Sequence, residues 1–165
     1  MNMLTVFLFA QVTTVSAQGF VSEHTMELEN VTPHEAYVAL TRDVGRWWDA
    51  AHSYSGDRRN FYIEPRAGGC FCERLASGGS VMHMQVVFAD PGNRLRMSGG
   101  LGPLQTEAVS GSMEFAFEAY EGGTRLSYRY AVSGMVSGGL DGWAEAVDRV
   151  QLGQLKALQS FLAEG

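Results

Sequence analysis

The chain is very poor in lysine. Lys156 stands alone, and 12 basic residues face 18 acidic ones for a net charge of −6. With no basic stripe, nucleic acid is not an expected partner. The four histidines, His24, His34, His52 and His83, are scattered without ligand spacing, so no zinc site is expected and no cofactor is called for. No Gly-x-Ser-x-Gly and no P-loop occurs, and Gly99-Gly100-Leu101-Gly102 follows a strand pattern without opening a helix. Neither an internal repeat nor a linker is found. At 165 residues the chain suits a single domain with a real core.

Long hydrophobic runs are missing too. Met3–Ala10 is apolar but too short for a membrane span. Gln11–Ser16 then turns polar, and Val15-Ser16-Ala17 matches a small-x-small cleavage pattern. Residues 1–17 therefore read as a secretory signal peptide cleaved after Ala17, although no Lys or Arg precedes the apolar run. The competing reading is an extra N-terminal strand or a misread start. The expected location is periplasmic or secreted, with no membrane span after processing; a misread N-terminus makes it cytoplasmic.

Cysteine is nearly absent. Cys70 and Cys72, at i and i+2 on a strand, would point the same way with Cα atoms about 6.6 Å apart, near the upper limit for a disulfide. A bridge would need a local bend, so two reduced thiols are the expected state.

What is present is alternation followed by one long helix. Phe20–Asn30 alternates with His24, Met26 and Leu28 on one face. Thr32-Pro33 with Glu35 predicts a capping box and a helix to about Arg42. Asp43–Ala50 predicts a second, short helix with one of Trp47 and Trp48 in the core and the other at a rim. Three turns then set hairpin registers. Ser77-Gly78-Gly79-Ser80 pairs Leu75 with Met82, Glu73 with Met84 and Phe71 with Val86. Asp90-Pro91-Gly92-Asn93 pairs Phe88 with Leu95 and Val86 with Met97. Glu121-Gly122-Gly123-Thr124 pairs Phe117 with Tyr128, Phe115 with Tyr130 and Met113 with Val132. Pro103 breaks Leu101–Val109. Leu140–Gly165 carries a helical stripe of Trp143, Val147, Val150, Leu155, Leu158 and Leu162. The order is β-α-α-β6-α. This is an α+β protein in which a curved antiparallel sheet of about seven strands wraps a long C-terminal helix, forming a single domain over residues 18–165.

On these registers Glu73 is the anomaly, a carboxylate on the apolar face that must be paired, neutral or beside a polar cavity. Tyr128 and Tyr130 face inward between Phe115 and Phe117, with hydroxyls free to orient a ligand. Met82, Met84, Met97 and Met113 also map inward, and Gly99 and Gly100 leave room beside them. With Trp143 at one end of the helix, the expected ligand-binding set is Glu73, Met84, Met97, Gly99, Phe115, Phe117, Tyr128, Tyr130 and Trp143. Glu73 is the catalytic candidate, acting with Tyr128 or Tyr130 if there is a reaction. His83 and Arg74 map to the solvated outer face.

Several stretches resemble the START/Bet v 1-like (SRPBCC) superfamily, and within it the activator of Hsp90 ATPase-like and polyketide cyclase-like domains. They are Trp47-Trp48, Glu64-Pro65-Arg66-Ala67-Gly68-Gly69-Cys70-Phe71, Pro91-Gly92-Asn93-Arg94-Leu95-Arg96 and Gly122-Gly123-Thr124-Arg125-Leu126. The resemblance spans about Phe20 to Glu164 and implies the helix-grip fold. It implies carriers, cyclases or co-chaperone modules as functions, and it supplies no catalytic residue. The expected function is binding or carrying a hydrophobic small molecule, lipid or aromatic, between sheet and helix. The alternatives are a cyclase, dehydratase or hydrolase-type enzyme and a protein-interaction module with an unknown partner. If export is right, mass spectrometry of protein from its own compartment finds Gln18 as the N-terminal residue; an intact Met1 overturns it.

Overall fold

The computed structural model describes residues 10–165; residues 1–9, and with them half of the expected signal peptide, lie outside the described part. Eight antiparallel strands form one sheet in the order β1-β2-β8-β7-β6-β5-β4-β3. They are β1 Ala10–Ser16, β2 Gly19–Glu29, β3 Phe61–Ile63, β4 Cys70–Arg74, β5 Ser80–Asp90, β6 Arg94–Ser98, β7 Ala108–Tyr120 and β8 Gly123–Met135. The helices are α1 Pro33–Arg42, α2 Val44–Trp47 and α3 Asp141–Ala163. The protein is α+β as expected. The sheet has eight strands rather than about seven, because Ala10–Ser16 pairs along β2 as an edge strand.

Local rules account for most elements. Thr32 caps α1, accepting from the Glu35 amide while the Glu35 carboxylate accepts from the Thr32 amide. Pro103 sits in a 3-10 turn, Gly102–Thr106, that interrupts the chain between β6 and β7. Both tryptophans are buried, which corrects the rim assignment. Trp48 lies just past the end of α2 with an extended backbone, so it escapes the 100° helical offset and packs edge-on to Phe71.

The hairpin registers differ from the expected ones in two ways, with opposite consequences. Around the β7–β8 turn the two-residue loop is Glu121-Gly122, so Phe115 opposes Tyr128 and Phe117 opposes Leu126. That slip shifts partners by two and leaves every side chain on its expected face. Elsewhere single residues are inserted. Val87 has no partner between Val86–Met97 and Phe88–Arg96, so Phe88 turns outward and Ala89 opposes Leu95. His83 has none between Met82–Cys72 and Met84–Phe71. The β4–β5 turn itself closes differently, with the Leu75 amide donating to the Gly79 carbonyl, so Glu73 opposes Val81 instead of Met84; with the bulge, Met82 is 54% exposed and His83 is buried rather than solvated beside Arg74. A one-residue bulge reverses the alternation on its strand.

The same irregularity joins the cysteines. Cys70 and Cys72 form a disulfide with Cα atoms 5.5 Å apart, closer than a regular strand allows. The expectation of reduced thiols is corrected by the bend that it named as the condition for a bridge.

The apolar stripe of α3 divides. Leu155 and Leu158 are fully buried against the sheet, whereas Trp143, Val147, Val150 and Leu162 are half-covered. Between these halves the helix is held by polar groups. The Asp148 carboxylate accepts from Ser22 at 2.6 Å and lies 2.8 Å from His24 Nε2, both on β2. Asp148→Ala strands these two buried partners and is expected to cost about 1–3 kcal/mol, read as a lower denaturant midpoint.

Candidate functional site

The bulge at His83 builds the site. On β4, the Glu73 side chain is 0% exposed, a carboxylate inside the apolar face. It is solvated by the protein: the Ser55 amide donates at 2.6 Å, the Tyr54 amide at 3.2 Å, and His83 Nε2 at 2.9 Å. Those amides come from the segment after the short 3-10 turn Ala50–His52, whose Asp49 N-cap accepts from Ala51. Burial pushes the Glu73 pKa up, but the hydrogen bonds from Ser55, Tyr54 and His83 outweigh it, and the net shift is downward. His83, 4% exposed, is pushed downward chiefly by burial, with the Glu73 carboxylate opposing. At neutral pH the pair is an ionised carboxylate accepting from a neutral imidazole. The His83 ring is packed among Phe61, Phe71 and Tyr54.

His83 also lines an open cleft of about 580 Å³. Its walls are the Ala51–Tyr54 segment, the Leu101–Thr106 turn and the half-covered stripe of α3, with Trp48, Tyr54, Leu101, Trp143, Val147 and Val150 supplying apolar surface. Tyr54 closes one side by donating its hydroxyl to the Gly102 carbonyl at 3.2 Å. Among the described residues, no Lys, Arg, Asp or Glu lines the cleft.

The expected ligand set is split by this geometry. Trp143 lines the cleft, while Met97, Phe115 and Tyr128 line a separate internal cavity of about 20 Å³ beneath α3. That space admits about one water molecule. Glu73 lies behind His83, and Met84, Gly99, Phe117 and Tyr130 line neither space. The room expected at Gly99 and Gly100 is filled: added Cβ atoms would meet His83 O at 3.2 Å and Leu104 O at 2.8 Å. Glu73 is not joined to the tyrosines either. Tyr128 donates to Gln151 at 3.0 Å, and Tyr130 donates to Gly99 O and accepts from the Leu101 amide. Burial holds both phenols protonated, Tyr128 well above the usual range and Tyr130 at about 12. The residues that alternation missed are His83, Tyr54, Gln151 and the two turns. Only the buried Glu73 pointed toward them, by demanding partners.

No protein-family model and no curated protein matches the chain. Solved structures do. An uncharacterised protein from Rhizobium leguminosarum is 19% identical, with a TM-score of 0.61 over 89% of this chain and 99% of that one. A protein from Rhodobacter sphaeroides is 23% identical, with a TM-score of 0.60 over 94% and 98%. The di-domain ARO/CYC StfQ of the steffimycin biosynthetic pathway is 15% identical, with a TM-score of 0.59 over 90% of this chain and 52% of its own. At these identities the likeness is one of fold, and it agrees with a Bet v 1-like, polyketide cyclase-like architecture.

Both members of the pair have lowered pKa values, so the unfolded chain binds more protons in acid and stability falls as pH falls. The His83 contribution starts to be lost below about pH 6.5, and the Glu73 contribution is lost further down, through the carboxylate range. Thermal melts across that window show a continuous decline; a flat profile contradicts the assignment. Glu73→Ala strands two amides and an imidazole and is expected to cost about 3 kcal/mol or more.

Proposed function

We propose that this is a helix-grip domain that binds a neutral hydrophobic small molecule in the cleft beside the N-terminal half of α3. The observation that carries the reading is the cleft itself. Its volume, about 580 Å³, lies in the range of about 300–1,000 Å³ typical of small-molecule sites. Its aromatic and aliphatic walls, with few polar groups, favour an aromatic or lipid-like ligand. The internal cavity is too small to hold one. The ligand therefore sits at the mouth between sheet and helix rather than deep among the methionines.

Export is proposed alongside, on the apolar start of the chain and on a disulfide that suits an oxidising compartment. Cleavage after Ala17 would remove β1 and the hydrogen bond from the Leu140 amide to the Ala17 carbonyl, leaving β2 as the edge.

The uncharged fluorophore N-phenyl-1-naphthylamine tests the cleft. One equivalent is expected to bind per chain with enhanced emission, and Val147→Trp, which fills the cleft from α3, is expected to weaken binding by about tenfold or more. Binding that ignores this substitution in a folded variant overturns the reading.

A further inference from the structure

The geometry points to a general-base site in the cleft, with His83 as the catalytic base and Glu73 as its positioning residue. The substrate class is a neutral, apolar carbon acid: a molecule whose C–H bond is made acidic by an adjacent carbonyl or comparable group. This rests on the reading of the cleft as the ligand site.

Three observations carry it. The first is the bulge, which spends one residue of β5 to turn His83 inward without disturbing Met84 and Val86. The second is the orientation of the ring. Nε2 faces the carboxylate at 2.9 Å, and an ionised carboxylate only accepts, so Nε2 carries the proton and Nδ1 is left with the lone pair. Nδ1 makes no hydrogen bond to a described residue. It also is not among the sealed, partnerless side-chain atoms, which are His24 Nδ1, Tyr37 Oη and Gln154 Nε2. The ring lines the cleft, so the lone pair has one outlet. The third is the cost of the arrangement. Packing at this point would be served at least as well by an apolar pair, whereas the present one buries a charge and ties two backbone amides to it. A carboxylate that fixes the tautomer of an imidazole and stabilises its protonated form is what a positioned base requires.

The step balances without a co-reactant. The substrate C–H proton passes to His83 Nδ1, the C–H electron pair stays on the substrate as an enolate, and the imidazolium keeps its Nε2–H on the Glu73 carboxylate. Returning the proton to another carbon gives an isomer. Where a hydroxyl sits β to the carbonyl, the enolate expels it with that same proton, and water leaves. The titratable groups near His83 are Glu73 behind it, Tyr54 against its ring and His52 on the cleft wall.

The probe is 5-nitrobenzisoxazole, a neutral aromatic whose ring opens when a base takes its C–H proton. The pair forms the nitrile, and the N–O bond breaks to give the coloured phenolate. The protein is expected to open the ring with a rate that rises with pH through a midpoint below that of free histidine, and N-phenyl-1-naphthylamine is expected to compete. His83→Gln lowers the rate by about 10²-fold or more. Glu73→Gln lowers the rate and moves the midpoint further down, since the carboxylate holds the His83 pKa up; a purely structural role leaves the midpoint in place. Histidine ¹⁵N spectra of the unsubstituted protein give a measure independent of any variant's folding. They are expected to show the Nε2-protonated tautomer, with the Nδ1 signal shifting when the naphthylamine binds. If the probe competes for the cleft but opens no faster than with His83→Gln, or if Nδ1 carries the proton, the base assignment falls and the carrier reading stands. If neither the probe nor the naphthylamine binds, the cleft reading falls and takes the base assignment with it.

Discussion

A carboxylate inside the apolar face of a sheet has to find its solvation within the protein, and the region around Glu73 is organised by that requirement. Two backbone amides from the Tyr54–Ser55 segment and one imidazole provide it. Each donor sets a further constraint. The amides pin the turn that forms one wall of the cleft, and the imidazole comes within reach only because β5 carries an extra residue at His83. The aromatic rings of Phe61 and Phe71 then pack the imidazole from the sides. Removing the charge would leave the Tyr54 and Ser55 amides and His83 without their shared acceptor.

The relation between core and cleft follows from how α3 is divided. Its C-terminal half covers the sheet with Leu155 and Leu158, and little space remains beneath it. Along its N-terminal half Trp143, Val147 and Val150 keep the same apolar periodicity but are only half-covered and face the cleft. The helix is one continuous amphipathic element with two different surfaces opposite it. The structural neighbours share the framework at identities below a quarter, so the chemistry of any one member rests on its own side chains.

Much of the fold was legible because alternation survives even-numbered slips. Met113, Phe115, Phe117, Tyr128 and Tyr130 are all buried as expected although their partners are shifted by two. The site was less legible because it depends on odd-numbered insertions. Nothing in Val81-Met82-His83-Met84 marks His83 as the inserted residue, and a continuous count places it outside with Arg74. The same holds for Val87 and the exposed Phe88. Glycine misled too: the space at Gly99 and Gly100 is taken by the backbone of His83, Met84 and Leu104. The buried Glu73 was the one residue whose physics, rather than its pattern, pointed to the site.

The Asp148 clamp ties the α3 wall of the cleft to the sheet. By joining the middle of α3 to Ser22 and His24, it couples the helix to β2, which pairs with β8 along its whole length. Lifting the helix would expose three polar groups at once. On the opposite side the two turns are bridged across the mouth by one neutral hydrogen bond, Tyr54 to Gly102, worth about 1 kcal/mol. The molecule thus resembles a vice with a fixed jaw and a light catch. One side is tied to the sheet by a carboxylate, and the other is joined by a single exposed phenol.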